Sequence, residues 1–268
     1  MAIHEPLDTP LVATDLTRRQ RRIVRRAACF ALAVAILGSL AVNFVSGQSS
    51  GPVDNLDGHA YLSYDLPHRA AELQSVLFIL TVLAIAGFIV TLGIVYAERS
   101  GRPTFPAVTM IGSAVAFFAM QFLGSASGLS IALLGHGYPS FGTDPSAPLI
   151  ITTLWDLTNV FVTFGYLPFV IAMFATAAAN RSDPILPRWL AGPITVLVAS
   201  LAGIGLITTL FIDTGGFTPM SVYAGAVSVG PISLWLAVVA FAVLWRTRSA
   251  RPNGRSPRGR PAGSPAVP

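Results

Sequence analysis

The chain has 268 residues, of which 53% are hydrophobic and only 11% are charged, and its mean hydropathy is +0.66. Soluble domains carry about 25% charged residues, so this composition excludes an ordinary soluble globular protein. The net charge of +5 would suit nucleic acid, but the basic residues flank apolar segments and no aromatic-plus-basic binding module is present, so we expect no nucleic-acid partner.

The first element is a basic cytoplasmic segment, residues 1–26, which ends in six arginines between Arg18 and Arg26. It resembles the charged start of a signal sequence, even a twin-arginine one, but a retained signal anchor needs the same charges. Because five more apolar segments follow, we expect the first span to be retained. Cleavage after Gly47 is the alternative.

Six apolar segments follow in chain order. A bilayer core of about 30 Å is crossed by about 20 apolar residues in a helix, and lipid cannot satisfy the backbone of any open structure. The sequence therefore predicts an all-α polytopic membrane helix bundle over residues 27–246. Its six transmembrane helices are Ala27–Val45, Leu73–Tyr96, Phe105–Gly128, Leu154–Ala178, Trp189–Ile212 and Val222–Trp245. Apolar residues at 129–134 and 148–153 could extend the third and fourth helices.

Arginine placement predicts the orientation. Sixteen of the seventeen basic residues fall on one side of the membrane in this arrangement, and Arg69 is the exception. Since basic residues stay on the cytoplasmic side, both termini should be cytoplasmic. The outer loops are then 46–72, 129–153 and 213–221, and the inner loops are 97–104 and 179–188. Tyr96, Trp189 and Trp245 are expected at the inner interface.

The last element is a tail, residues 247–268, rich in Arg, Pro, Gly and Ser. This composition predicts a disordered basic cytoplasmic tail that lies on anionic lipid headgroups, as the basic N-terminus should. The chain has no lysine, a bias typical of GC-rich bacterial genomes, so we expect a bacterial plasma-membrane protein. Its one cysteine, Cys29, cannot form an intrachain disulfide.

Polar residues inside the predicted spans are the candidates for a site, because they are costly there. Asp156, Asn159, Thr163 and Tyr166 have the spacing i, i+3, i+7, i+10, so they share one helical face, which we expect to point into the bundle. One interpretation is a carboxylate that handles protons or cations. The other is an interfacial Asp solvated at the outer boundary, with Asn and Thr joining helices.

Further polar residues lie in or beside the outer halves of the spans, whereas the inner halves have little beyond Ser and Thr. We therefore predict an outward-facing ligand-binding vestibule, and no comparable polar site at the inner end. Its residues are Asp156, Asn159, Gln121, Gln74, Asn43 and Arg69.

Other chemistry finds less support in the residue pattern. The predicted outer loops contain His59, His68, His136 and Asp144, which could bind a divalent metal, but they match no compact ligand motif. No span contains histidine for haem, no lysine exists for a phosphate loop, and we expect no cofactor and no metal. Gly124 and Gly128 form a small-xxx-small pair suited to close helix packing, as do Ala199 and Gly203.

The last third of the chain carries a resemblance. A Leu-Pro-Arg-Trp-Leu sequence at 186–190 enters the fifth apolar segment, and Gly230-Pro231 and a Leu-Trp-Leu sequence at 234–236 lie in the sixth. These features resemble uncharacterised six-span membrane proteins of actinobacteria. The resemblance implies a helical bundle in the plasma membrane and brings no assigned activity.

Three functions remain open at this point. We favour a structural, accessory or partner-binding protein that is not an enzyme, with a membrane-protein partner or a second copy of the chain. The first alternative is a small-molecule or ion transporter with its vestibule around Asp156. The second is a membrane enzyme with an outer-face His/Asp site.

Overall fold

The computed structural model describes residues 16–47, 69–138, 140–208 and 229–249. All regular elements of this part are helical, which confirms the predicted all-α class there. The helices are α1 (Arg18–Gly47), α2 (Arg69–Arg99), α3 (Phe105–Gly137), α4 (Ala147–Ser182), α5 (Thr195–Thr208) and α6 (Gly230–Ser249). A 3-10 turn, Phe141–Thr143, lies between α3 and α4, and a π-helical turn, Leu190–Ile194, leads into α5.

Five of the described helices are long and apolar enough to cross a membrane, which is consistent with a multi-pass membrane protein. They are Ser75–Arg99, Phe105–Ile131, Ala147–Ser182, Leu190–Thr208 and Gly230–Thr247. Helix α1 is not among them. It begins at Arg18, nine residues before the predicted span, so its first nine residues contain six arginines. The sixth span stays a prediction.

The turn between α2 and α3 shows how the sequence ends one helix and begins the next. Ser100 donates its hydroxyl to the Tyr96 carbonyl, and Gly101 follows at a φ of +66°, a left-handed conformation that glycine adopts without a steric penalty. Helix α3 then starts at Phe105 with a proline in its first turn, where no amide hydrogen is needed.

Helices α3 and α4 extend beyond the predicted spans. The apolar stretches 129–134 and 148–153 are helical, so the predicted outer loop 129–153 was too long and only the residues around 138–146 connect the two helices. With 36 residues at 1.5 Å each, α4 is about 54 Å long, well over a bilayer core of about 30 Å. Ile131 and Ile151 form one buried cluster at this end of the hairpin, and Phe141, Leu154 and Trp155 pack against it.

The six described helices pack in chain order, each against the next, and α6 returns to pack against α1. Aromatic rings form much of the centre. Phe169 of α4 lies 5.1 Å from Phe117 of α3 and 6.0 Å from Trp235 of α6, measured between ring centroids. Phe117 also lies 5.7 Å from Tyr166. The bundle is therefore closed around a continuous apolar core.

One end of this bundle collects the start of α1, the end of α2, the 183–188 connection and the end of α6. We call it the arginine end, since Arg21, Arg99 and Arg246 meet there around one cavity. The sequence predicted that these segments share a side of the membrane, and the packing places them together. Which side of the membrane that is stays a prediction.

Candidate functional site

The predicted polar face of α4 is only partly turned into the bundle. Asn159 and Thr163 are buried, and Tyr166 is half-buried against the core. Asp156 lies on the exposed side of the helix. Asp156 and Tyr166 are almost three turns apart, so residues of one predicted face can point in somewhat different directions. The first of them, Asp156, therefore points away from the bundle. The carboxylate on which the transport hypothesis centred is therefore not shielded by the bundle.

Gln121 of α3 is the predicted vestibule residue that the structure buries most completely. Its Nε2 donates to the Val162 carbonyl of α4 at 2.8 Å. Its Oε1 has no hydrogen-bond partner among the described residues, and neither has the buried hydroxyl of Ser125, one turn further along α3. Buried polar atoms without a partner are uncommon and call for a physical explanation.

Glycines let α3 and α4 approach at this point. A Cβ at Gly124 would lie 2.8 Å from Val162 Cγ2 and 3.2 Å from the Thr158 carbonyl oxygen, and one at Gly165 would lie 2.7 Å from Gln121 Nε2. A Cβ at Gly128 would lie 3.6 Å from the Thr158 side chain, which is an ordinary van der Waals contact. The predicted close packing is therefore confirmed at Gly124, where it brings Gln121 within reach of the α4 backbone.

The remaining vestibule candidates are placed by backbone alone. Asn43 lies in α1, Arg69 is the first residue of α2, and Gln74 follows in its second turn, but their side chains lie outside the described part. Convergence of the six predicted residues on one ligand stays a prediction.

The predicted outer-face metal site falls largely outside the described residues. His59 and His68 are not described, nor is the side chain of His136. Asp144 lies on the α3–α4 connection, where the hydroxyl and the backbone N–H of Ser146 donate to its carboxylate at 2.6 and 2.8 Å. These hydrogen bonds hold the pKa of Asp144 below its usual value. Within the described residues, no three His, Cys, Asp or Glu side chains come close enough to hold a metal.

Asn180, near the end of α4, makes three hydrogen bonds inside the described bundle. Its Oδ1 accepts hydrogen bonds from the Tyr96 hydroxyl and the Leu186 backbone N–H, both at 2.8 Å, and its Nδ2 donates to the Leu186 carbonyl at 3.2 Å. All three residues are buried. The amide thus joins α2, α4 and the connection to α5. Tyr96, predicted at the interface, is instead inside the bundle.

The arginine end also contains an ion pair and hydrogen bonds that involve charged side chains. Arg99 of α2 forms a bidentate ion pair with Asp183, through Nε and Nη2 at 2.5 Å each. Gln20 of α1 donates to Glu98 at 3.0 Å, and Arg246 of α6 donates to the Ile185 carbonyl at 3.0 Å. The sequence predicted few polar groups in the inner halves of the spans, and these contacts come from residues at or beyond the ends of the predicted spans.

A third set of bonds joins α5 to α6. The Trp235 indole N–H donates to the Thr195 hydroxyl at 2.7 Å, and that hydroxyl donates to the Leu190 carbonyl, also at 2.7 Å. The π-helical turn around Pro193 brings that carbonyl and hydroxyl together. An apolar groove of about 540 Å³ lies beside them, and it is lined by Trp189, which precedes the π-helical turn, by Val198 of α5 and by Leu234 of α6.

Comparisons of the chain with protein families, with curated proteins and with solved structures find no match in any of the three. The resemblance to six-span actinobacterial proteins therefore rests on the quoted residues alone. What the bundle does must be argued from its own geometry.

Proposed function

We propose that this chain is a structural or accessory membrane protein that holds a partner membrane protein, or a second copy, in a fixed arrangement. It has six spans in a bacterial plasma membrane, with the arginine end and both termini in the cytoplasm. The orientation is supported by the sixteen-to-one distribution of arginines. The accessory role is supported by the buried polar side chains, which form hydrogen bonds between helices.

The observation that carries the proposal is that these groups join helix to helix. Asn180 bridges α2 and α4, Trp235 and Thr195 bridge α6 and α5, and Gln121 bridges α3 and α4. Such bonds resist relative motion of the helices because a broken bond inside a membrane finds no water to replace it. A fixed bundle suits a scaffold, whereas alternating access needs helices that move against each other.

The test is purification of the full chain from its own membrane in a mild detergent, followed by native mass spectrometry. We expect an assembly of constant stoichiometry that survives a second, orthogonal purification step and that is recovered again when the partner carries the tag. A protein that elutes only as a lone monomer, under conditions in which a thermal transition shows it to be folded, would contradict the proposal.

A second function, transport of a small cation or proton, is favoured by one specific observation. Gln121 Oε1 and Ser125 Oγ are buried without described partners, and Gln121 lies against Val162 and Gly165 of α4. Two such oxygens could accept water or a cation. The exposed position of Asp156 argues against this function, since a coupling carboxylate is expected to face the interior or a cavity.

The two functions make opposite predictions for Asp156→Asn. For the accessory role, we expect unchanged proton flux into proteoliposomes that contain a pH-sensitive dye and are driven by a potassium diffusion potential. For transport, flux present in the wild type should disappear in Asp156→Asn, with Asp144→Asn as a matched control at an exposed aspartate. Flux that depends on Asp156 but not on Asp144 would replace the accessory role by transport.

A further inference from the structure

Two buried oxygen atoms of α3, Gln121 Oε1 and Ser125 Oγ, have no hydrogen-bond partner in the described part of the chain. Gln121 is fully buried and Ser125 is 6% exposed, so bulk solvent does not supply the missing bonds. The two residues are four apart, which puts them on one face of α3 with Cβ atoms about 5–6 Å from each other. Since single buried polar atoms of this kind are uncommon, two on one face indicate a ligand that both contact.

The Ser125 hydroxyl does not make the bond that a serine or threonine inside a helix can make to the carbonyl one turn earlier. Ser127, Ser130 and Thr158, in the same two helices, do make it, at 3.0, 2.8 and 2.9 Å. The hydroxyl of Ser125 is therefore left for a group that is not part of the helix backbone.

Helix α4 supplies a further acceptor beside Gln121. Pro168 lies inside α4 and has no amide hydrogen, so the Phe164 carbonyl lacks the donor that an uninterrupted helix would give it. This carbonyl belongs to the peptide bond between Phe164 and Gly165. A Cβ at Gly165 would lie 2.7 Å from Gln121 Nε2, so the α4 backbone at this point runs directly against the Gln121 amide.

We infer that ordered water is bound between α3 and α4, where it donates to Gln121 Oε1 and completes the hydrogen bonding of the Ser125 hydroxyl and the Phe164 carbonyl. Buried water typically makes about three hydrogen bonds to polar groups that are otherwise unsatisfied. Ordered water is also one of the ways in which membrane helices satisfy a carbonyl freed by proline. A divalent cation fits less well, because it takes about six oxygen ligands, usually with carboxylates among them.

The test is X-ray hydroxyl-radical footprinting of the purified full chain in detergent micelles, with mass spectrometry to locate the oxidised residues. Radicals formed from an ordered water oxidise the side chains beside it. Phe117 is the reporter, because it lies one turn before Gln121, where the Gln121 side chain is directed, and is 2% exposed. Phe88 of α2, at 0% exposed, is the matched residue. We expect oxidation of Phe117 and none of Phe88.

Gln121→Leu removes the amide that holds the water, so the oxidation of Phe117 should be lost. Ser127→Ala is the matched control, because it removes a hydroxyl of the same helix that is already bonded to the Leu123 carbonyl, and it should leave the oxidation unchanged. Oxidation of both Phe117 and Phe88 would overturn the site in favour of general solvent entry, and oxidation of neither would show a dry interface. Oxidation of Phe117 that persists in Gln121→Leu would also contradict it.

Folding is checked by the thermal transition of each variant, and Gln121→Met replaces Gln121→Leu if the latter does not fold, since methionine adapts to irregular gaps. The same transition is measured in sodium chloride and in choline chloride, and we expect equal temperatures. A rise in sodium that Gln121→Leu abolishes would overturn bound water in favour of a cation. The inference goes beyond the accessory role, and because the isolated chain is used, its outcome is independent of whether a partner protein is found.

Discussion

Asn180→Leu should lower the free energy of unfolding by about 3–5 kcal/mol, since each buried polar group left without a partner costs roughly 1–3 kcal/mol. Leucine has the same number and branching of side-chain heavy atoms as asparagine but accepts and donates no hydrogen bond. The Tyr96 hydroxyl and both backbone groups of Leu186 would lose their partner in a buried site. The measurement is equilibrium unfolding in mixed micelles, with helix content followed by circular dichroism.

Two tyrosine variants provide the control. Tyr96→Phe removes one bond to Asn180 and should cost about 1–2 kcal/mol, whereas Tyr138→Phe changes an exposed tyrosine and should change stability by less than about 0.5 kcal/mol. Because Tyr96 and Asn180 share a bond, the effects of Tyr96→Phe and Asn180→Leu should not add. Full additivity, or a small effect of Asn180→Leu, would show that the amide does not hold these helices together.

Gly124→Leu should destabilise the bundle by about 2–3 kcal/mol through overpacking. A Cβ at this position already lies 3.2 Å from two backbone atoms of α4, the Thr158 oxygen and the Val162 nitrogen, so α3 and α4 would have to separate. That separation would also lengthen the bond from Gln121 to the Val162 carbonyl. Equilibrium unfolding and disulfide cross-linking between α3 and α4 measure the two effects.

Gly112→Leu is the matched control, because Gly112 lies in the same helix and a Cβ there meets nothing within 4 Å. We expect its free energy of unfolding to stay within about 0.5 kcal/mol of the wild type. If both glycine variants were equally destabilised, helix packing would not be the cause, and side-chain volume at the lipid-facing surface would have to be considered instead.

The helices were predictable from the sequence because lipid imposes one backbone solution on long apolar segments. The start of α3 at Phe105 was placed to the residue, since a proline follows it. The starts of α1 and α4 were placed seven to nine residues too late, because a helix continues past the bilayer wherever nothing stops it. Hydropathy indicates which segments can cross a membrane, whereas capping residues indicate where a helix begins or ends.

The site was harder to predict because its residues lie where two helices end. Asn180 and Asp183 lie in a segment that was predicted to be a loop, and Tyr96 was interpreted as an ordinary interfacial aromatic residue. One signal was available: Tyr96 and Arg99 are three residues apart, as are Asn180 and Asp183, and the partners pair in that order. Matching i, i+3 pairs of complementary polar residues at two span ends could have indicated the contact, although pairing across helices needs the three-dimensional packing.

The long α3–α4 hairpin has a practical consequence for imaging this 28.2 kDa protein. Small membrane proteins are hard to align in electron micrographs because the detergent belt hides them. Here the hairpin end, closed by Ile131 and Ile151, lies at the opposite end from the arginines, and α4 is longer than a bilayer core. An antibody fragment that recognises the Phe141–Thr143 turn would add mass for image alignment without contacting Asn180, the arginine cavity or the helix-joining bonds.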